Sequence, residues 1–121
     1  MDKKIKIAVI GSGTMGNGIA HISAQSGFKT LLVDINQLQL DDALLTINSN
    51  LDRQLKKNII SSNEKNNTIN NITISTKIND CKDMDLIIEA IPEKFSLKSS
   101  LFKELDAICK KETIFASNTS S

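Results

Sequence analysis

The sequence predicts an α/β domain built on a doubly wound parallel sheet, because three features of the chain occur together. Short, nearly continuous apolar stretches, as expected of strands buried on both faces, alternate with longer segments that have helical spacing. A glycine-rich turn joins the first apolar stretch to the first helical segment. The length of 121 residues suits one domain with a single core. Strands and helices that alternate in this way are typical of βαβ units.

The first apolar stretch, residues 5–10, is predicted to be a central strand. The segment after the glycine turn is predicted to be a helix that ends at Gly27, because glycine suits the C′ position. Its larger apolar residues recur at i, i+4 and i+7 and are expected to pack on the sheet: Met15, Ile19 and Ile22. Residues 28–33 are predicted to form the second strand.

A long amphipathic helix is predicted next, capped by Asn36 and reaching about residue 57. Its apolar residues step by four, three, four and four: Leu40, Leu44, Ile47, Leu51 and Leu55. Residues 58–71 are polar and rich in Asn, which favours an irregular excursion outside the sheet. Ser61 and Glu64 nevertheless have the spacing of a capping box, so one short helix is the alternative.

The second half of the chain is predicted to add three strands and one helix. Residues 72–74 form a short strand, and residues 85–90 form another that Pro92 ends. A helix begins near Ser96, with its leucines on one side. Residues 113–116 form the last strand, so the whole chain is expected to be one Rossmann-type domain, residues 1–121.

Composition and charge exclude several classes of function. Fifteen Lys and Arg residues against 14 Asp and Glu give a net charge of +1, so no long-range field favours nucleic acid or an anionic membrane. Aromatic residues make up 3% of the chain, and no apolar stretch approaches the length of a membrane span. With no signal peptide before the first strand, we expect a soluble, cytoplasmic protein. Cys81 and Cys109 are expected to be free thiols rather than a metal site or a redox pair.

The glycine-rich turn has the pattern G-x-G-x-x-G between a predicted strand and a predicted helix, which indicates dinucleotide binding. Six consecutive residues are therefore candidate cofactor-binding residues: Gly11, Ser12, Gly13, Thr14, Met15 and Gly16. Gly11 is expected to make the tight turn, Gly13 to let the backbone approach the pyrophosphate, and Gly16 to let helix and strand pack closely. The positive end of the helix dipole favours the same anion.

Asp34 follows the second strand, 34 − 16 = 18 positions after the last glycine of the turn. A carboxylate near this spacing accepts hydrogen bonds from the adenosine ribose of NAD and repels the 2′-phosphate of NADP. Because no Arg follows at Ile35 or Asn36, NAD is the expected cofactor. The alternative is that Asp34 only caps or turns the chain before the long helix.

His21 is the only histidine, and a general base is the obvious role to test. Helical geometry places it away from the predicted apolar stripe, and no nearby carboxylate is placed to orient it, so we interpret it as a partly exposed helix residue. The loops after the last two strands, residues 89–93 and 117–121, are expected to border the same crevice as the glycine turn. A solvated connection is the alternative for the first loop.

Four blocks closely resemble the NAD-binding domain of 3-hydroxyacyl-CoA dehydrogenases, in particular the bacterial 3-hydroxybutyryl-CoA type. They are IAVIGSGTMGNGIA (7–20), LVD (32–34), LIIEAIPE (86–93) and FASNTSS (115–121). The resemblance implies that the glycine turn wraps the pyrophosphate and that Asp34 holds the ribose. It also implies that Glu93 and Lys98 contact NAD on its nicotinamide side, with Asn118 in the same conserved loop.

The resemblance also implies a substrate side. Ser120 matches a catalytic serine that hydrogen-bonds the C3 oxygen of the acyl-CoA substrate, and Lys57 matches a lysine that meets the CoA portion. Asn50 stands where mammalian members carry a serine, so CoA contact rests on fewer matches than NAD contact.

The family pattern continues beyond these 121 residues. Members carry a His-Phe-x-Asn-Pro segment, whose histidine takes the hydroxyl proton, and then a helical domain through which they form homodimers. Neither is in this sequence, so we expect this polypeptide alone to be inactive or nearly so, as the cofactor-binding part of an oxidoreductase. The alternative is a binding module that holds NAD without turnover.

Overall fold

The computed structural model describes residues 5–91 and 98–117. Five parallel strands form one sheet in the order β3-β2-β1-β4-β5. The strands are β1 Lys6–Ile10, β2 Lys29–Val33, β3 Ile72–Ser75, β4 Leu86–Glu89 and β5 Ile114–Ser117. The helices are α1 Thr14–Gln25, α2 Gln37–Lys56, α3 Ser62–Asn70 and α4 Lys98–Ile108, with a 3₁₀ turn at Ile78–Cys81.

The strand order confirms the predicted Rossmann-type fold class. The chain proceeds outward from β1 through β2 to β3, and then crosses to the other side of β1 to add β4 and β5. The order therefore reverses between β1 and β4, and such a switch point opens a crevice at the carboxyl ends of the strands. At that edge Ile10 pairs with both Val33 and Glu89, and Glu89 pairs with Ser117.

The sheet is covered on both faces, so its central strands are apolar on both sides. Successive strand residues point to opposite faces, and adjacent residues of one strand therefore enter different clusters. Val9 packs with residues of α1 and α2, whereas Ala8 and Ile10 pack with Leu101 and Leu105 of α4. This arrangement explains the nearly continuous apolar character of β1.

The buried face of α1 differs from the predicted one. Its buried residues are mostly small: Gly16, Ala20, His21, Ser23 and Ala24. Two of the three residues expected to pack on the sheet are exposed, Met15 by 46% and Ile22 by 67%. The prediction was wrong because α1 approaches the sheet and its neighbours closely, so that small side chains fit where large ones would collide.

Residues 58–71 contain the alternative short helix, and the expected irregular excursion was wrong. The capping box is present: Glu64 N–H donates to Ser61 Oγ at 3.1 Å, and Ser61 N–H donates to Glu64 Oε1 at 2.8 Å. The helix buries Thr68, and Asn71 Nδ2 then donates to the carbonyl oxygen of Ala24 at 3.0 Å. Local capping and packing against both α1 and α2 thus order a segment with little apolar content.

The remaining elements follow the predictions to within one or two residues. Gly27 adopts φ +101° directly after α1, and Asn36 accepts hydrogen bonds from the N–H groups of Leu38 and Gln39 at the start of α2. Across residues 5–91 and 98–117, every helix is too short or too polar to cross a membrane.

The two cysteines are free thiols, although the fold brings them close together. Cys109 Sγ lies 3.5 Å from the carbonyl oxygen of Cys81. Burial raises the pKa of the Cys81 thiol to about 12, so it stays protonated and weakly nucleophilic. Their separation along the chain gave no sign of this contact.

Candidate functional site

The glycine turn lies at the switch point of the sheet. Gly11 has φ +103°, and its N–H donates to the carbonyl oxygen of Val33 at 2.7 Å. A Cβ on Gly11 would lie 3.1 Å from the carbonyl oxygen of Ala90, at the end of β4. A Cβ on Gly16 would overlap the Gly11 carbonyl group, at 2.7 Å from its carbon atom. The tight turn and the close approach of helix to strand both depend on these glycines.

Gly13 leaves open space in front of α1. It is the N-cap residue, it provides no side-chain cap, and the first turn of α1 has no acidic residue. A Cβ built on Gly13 would meet no atom within 4 Å. A helix N-terminus with its positive dipole end facing open space suits an anionic group that approaches the backbone closely. The position fits a dinucleotide pyrophosphate.

Asp34 lies beside this turn, half-buried at the end of β2. Its Oδ2 accepts hydrogen bonds from Ser12 N–H at 3.0 Å and from Ser12 Oγ at 2.9 Å. Its Oδ1 accepts from Asn36 N–H at 3.0 Å. Asp34 therefore turns the chain before α2 and is also tied to the glycine turn. Since a carboxylate offers about four acceptor positions, Oδ1 can accept one further hydrogen bond.

A groove between α1 and α2, the α1–α2 groove, contains two cavities. The larger has a volume of about 410 Å³ and is lined by Gly18, His21, Ile22, Gln25, Asn50, Arg53, Gln54, Lys57 and Ile59. These described lining residues include two cations and no acid. The smaller, of about 210 Å³, is lined by Ser12, Gly13, Thr14, Asn17, Gln39, Asp42, Ala43 and Thr46. The larger cavity therefore suits an anionic ligand.

Lys57 was predicted from the sequence as a CoA contact, but Arg53 and Gln54, which line the same cavity, were not. A signal for them was present, because the cavity-lining residues of α2 and its C-cap are spaced by one, three or four positions, as on one face of a helix: Gln39, Asp42, Ala43, Thr46, Asn50, Arg53, Gln54 and Lys57. This mostly polar stripe lies next to the apolar stripe that packs on the sheet. A search for a second periodicity in α2 would have found it.

His21 is buried, with 7% exposure, so its interpretation as a partly exposed residue was wrong. Its Nε2 lies 3.0 Å from Gln25 Oε1, and Gln25 Nε2 donates to Gln54 Oε1 at 3.0 Å. The three side chains form one wall of the α1–α2 groove.

The remaining predicted site residues come after β4 and β5 in the sequence. Glu93, Asn118 and Ser120 lie outside the described residues, and so does the side chain of Lys98, which begins α4. The glycine turn is close to the end of β4, since a Cβ on Gly11 would lie 3.2 Å from the backbone nitrogen of Ile91. Within the described part of the chain, no group of three His, Cys, Asp or Glu side chains could hold a metal ion.

The parallel sheet, the glycine turn at its switch point and the adjacent acid define a dinucleotide-binding domain. The model of the 3-hydroxyacyl-CoA dehydrogenase NAD-binding domain matches residues 6–121. The chain belongs to this family, as the NAD-binding domain of a 3-hydroxyacyl-CoA dehydrogenase, and its cofactor is NAD.

Individual relatives give the same family. The chain is 43% identical over 116 residues to a 3-hydroxybutyryl-CoA dehydrogenase from Bradyrhizobium diazoefficiens, covering 96% of this chain and 40% of that protein. It is 41% identical over 117 residues to one from Clostridioides difficile, covering 97% and 42%. The crystal structure of (S)-3-hydroxybutyryl-CoA dehydrogenase from Ralstonia eutropha superposes with a TM-score of 0.92 at 37% identity, covering 98% and 42%. The chain thus spans about two fifths of the length of these relatives.

Proposed function

We propose that this chain supplies the cofactor half of an oxidoreductase that transfers hydride between NAD and an (S)-3-hydroxyacyl-CoA, in fatty-acid or butanoate metabolism. The observation that carries the proposal is the open space over Gly13 beside Asp34, with a cationic groove alongside it. Bound NAD supplies the hydride acceptor. The names of the relatives support 3-hydroxybutyryl-CoA as the substrate. A homodimer formed by a helical C-terminal domain and a cytoplasmic location stay predictions.

The cofactor roles are assigned along the crevice. The glycine turn binds the pyrophosphate with its backbone, and Asp34 binds the adenosine ribose. Glu93, Lys98 and Asn118 contact the nicotinamide side, as the family resemblance implies. Gly13 supports this assignment because it leaves the backbone accessible.

The α1–α2 groove is the proposed site for the CoA portion. Arg53 and Lys57 are both exposed on its rim, and phosphate groups are the anions that such cations bind. Asn50 lines the same cavity and offers an amide where mammalian members have a serine hydroxyl. Ser120, the proposed catalytic residue, hydrogen-bonds the C3 oxygen of the substrate in this assignment.

Removing the charges of Arg53 and Lys57 should weaken CoA binding without affecting NADH binding. In the double variant Arg53→Ala, Lys57→Ala, calorimetry with CoA should show a loss of affinity of about tenfold or more, because charge-assisted hydrogen bonds to phosphate are lost. Lys103→Ala is the matched control, since Lys103 is an exposed lysine on α4, across the sheet from α1 and α2. No CoA binding by the unsubstituted chain would contradict this site and favour a module that binds NAD alone.

The 121-residue chain should bind NADH but should not oxidise 3-hydroxybutyryl-CoA. Hydride departure from C3 requires a group that takes the hydroxyl proton, and the only histidine, His21, is buried with its Nε2 3.0 Å from the Gln25 side-chain amide oxygen. NADH binding can be followed by calorimetry and NADH formation by absorbance. Measurable turnover would show that another side chain acts as the base, whereas absence of NADH binding would contradict the cofactor role itself.

A further inference from the structure

Glu89 is the last residue of β4 and has no solvent exposure. It lies in the last paired row of the sheet, between Ile10 of β1 and Ser117 of β5. This row is at the carboxyl edge of the strands, where the glycine turn also lies. A buried carboxylate is costly unless polar groups replace its lost hydration. The buried Glu89 carboxylate therefore needs hydrogen-bond donors in place of water.

Two described groups compensate the carboxylate, one at each oxygen. Ile91 N–H donates to Glu89 Oε2 at 2.5 Å, and Ser117 Oγ donates to Glu89 Oε1 at 2.7 Å. Both distances are short, as in charge-assisted hydrogen bonds. Ser117 is itself exposed, so apolar packing does not account for where its hydroxyl lies. One side chain thus fixes two backbone segments that are far apart in sequence.

The two anchored residues adjoin the two segments that carry the proposed nicotinamide-side contacts. Ile91 precedes Glu93 by two residues, and Ser117 directly precedes Asn118. Because the Glu89 carboxylate holds both Ile91 and Ser117, the distance between the points where the two segments begin depends on Glu89. The adenine end of the cofactor depends instead on the glycine turn and Asp34, which Ser12 and Val33 hold.

We propose that Glu89 is a positioning residue for the nicotinamide end of NAD, acting through Ile91 and Ser117. The inference rests on the proposed function, which assigns the nicotinamide side to the segments that these residues precede. Glu89 does not touch the cofactor in this assignment. Its loss changes the relation of the two segments directly, whereas it affects the pyrophosphate position only through the packing of Gly11 against Ala90 and Ile91.

The test compares NADH with ADP, which carries the adenine end and two phosphates but no nicotinamide, by calorimetry on the 121-residue chain. In Glu89→Ala the affinity for NADH should fall about tenfold, and that for ADP should fall about twofold or less, because the glycine turn contacts Ile91 but is also held by Val33. Ser117→Ala removes the hydrogen bond from the exposed Ser117 to Glu89 and should weaken NADH binding about threefold. Glu89→Gln should restore NADH binding, since its amide oxygen accepts from Ile91 N–H and its amide nitrogen donates to Ser117 Oγ.

Several results would overturn the inference. Equal losses of NADH and ADP affinity would mean that Glu89 only supports the sheet, and a Glu89→Gln loss as large as that of Glu89→Ala would exclude action through the two hydrogen bonds. If Glu89→Ala does not fold, unchanged NADH affinity in Ser117→Ala overturns it. Failure of the unsubstituted chain to bind ADP would instead contradict the proposed cofactor site, so the two failures are distinguishable.

Discussion

Gly16→Ala should destabilise the domain by about 3 kcal/mol or more, because its Cβ would overlap a backbone group that cannot move independently. The Cβ would overlap the Gly11 carbonyl oxygen and lie 2.7 Å from its carbon atom. Gly11 is itself fixed by a 2.7 Å hydrogen bond to Val33. The overlap can therefore be relieved only if α1 moves away from the sheet. Urea unfolding followed by circular dichroism measures the change in the free energy of unfolding.

Gly18→Ala is the matched control, since Gly18 lies in the same helix and its Cβ would meet no atom within 4 Å. That variant should be more stable by about 0.5–1 kcal/mol, because alanine has the higher helix propensity. A Gly16→Ala protein as stable as Gly18→Ala would show that α1 can shift at little cost. The close approach of α1 to β1 would then not be essential to the fold.

Asp34→Asn should weaken NADH binding about tenfold or more, because the side chain loses its charge and one of its two acceptor oxygens. Two acceptor oxygens are used here by Ser12 and Asn36, and the amide nitrogen would face a donor at one of them. The carboxylate charge that repels a 2′-phosphate also disappears, so NADPH should lose less affinity than NADH. Calorimetry with NADH and with NADPH measures the ratio of the two affinities.

Asp41→Asn makes the same change at an exposed acid of α2 and should leave both affinities unchanged. Unfolding of Asp34→Asn under the same conditions separates a loss of binding from a loss of folded protein. An unaltered NADH affinity in folded Asp34→Asn would assign Asp34 to the turn alone, as a residue that positions Ser12 and Asn36.

The glycine turn and Asp34 were predictable because their requirements are local. A tight turn needs a glycine with positive φ, and a helix that starts there presents its positive end. The capping box of α3 is local too and was visible in the spacing of Ser61 and Glu64, but the polar composition of residues 58–71 favoured an irregular segment. Recognition of the family was equally accessible, because it depends on the order of residues in blocks such as LIIEAIPE.

The buried face of α1 was not predictable from hydrophobic periodicity. Periodicity assumes that the largest apolar side chains face the core, but α1 packs through Gly16, Ala20 and Ala24. The distance between helix and sheet decides which residues fit, and this distance is a property of the packed elements together. Ile22 accordingly lines the α1–α2 groove instead.

By itself the sequence determined the five strands, three of the four helices, the glycine turn and the family, since each follows from residues adjacent in the chain. Only the tertiary structure decided that the cations at the C-terminal end of α2 share a cavity with His21 of α1, and that Glu89 joins Ile91 to Ser117. Those relations depend on distances between residues of different elements. Such distances arise when helices and strands pack into one body, so no local pattern encodes them.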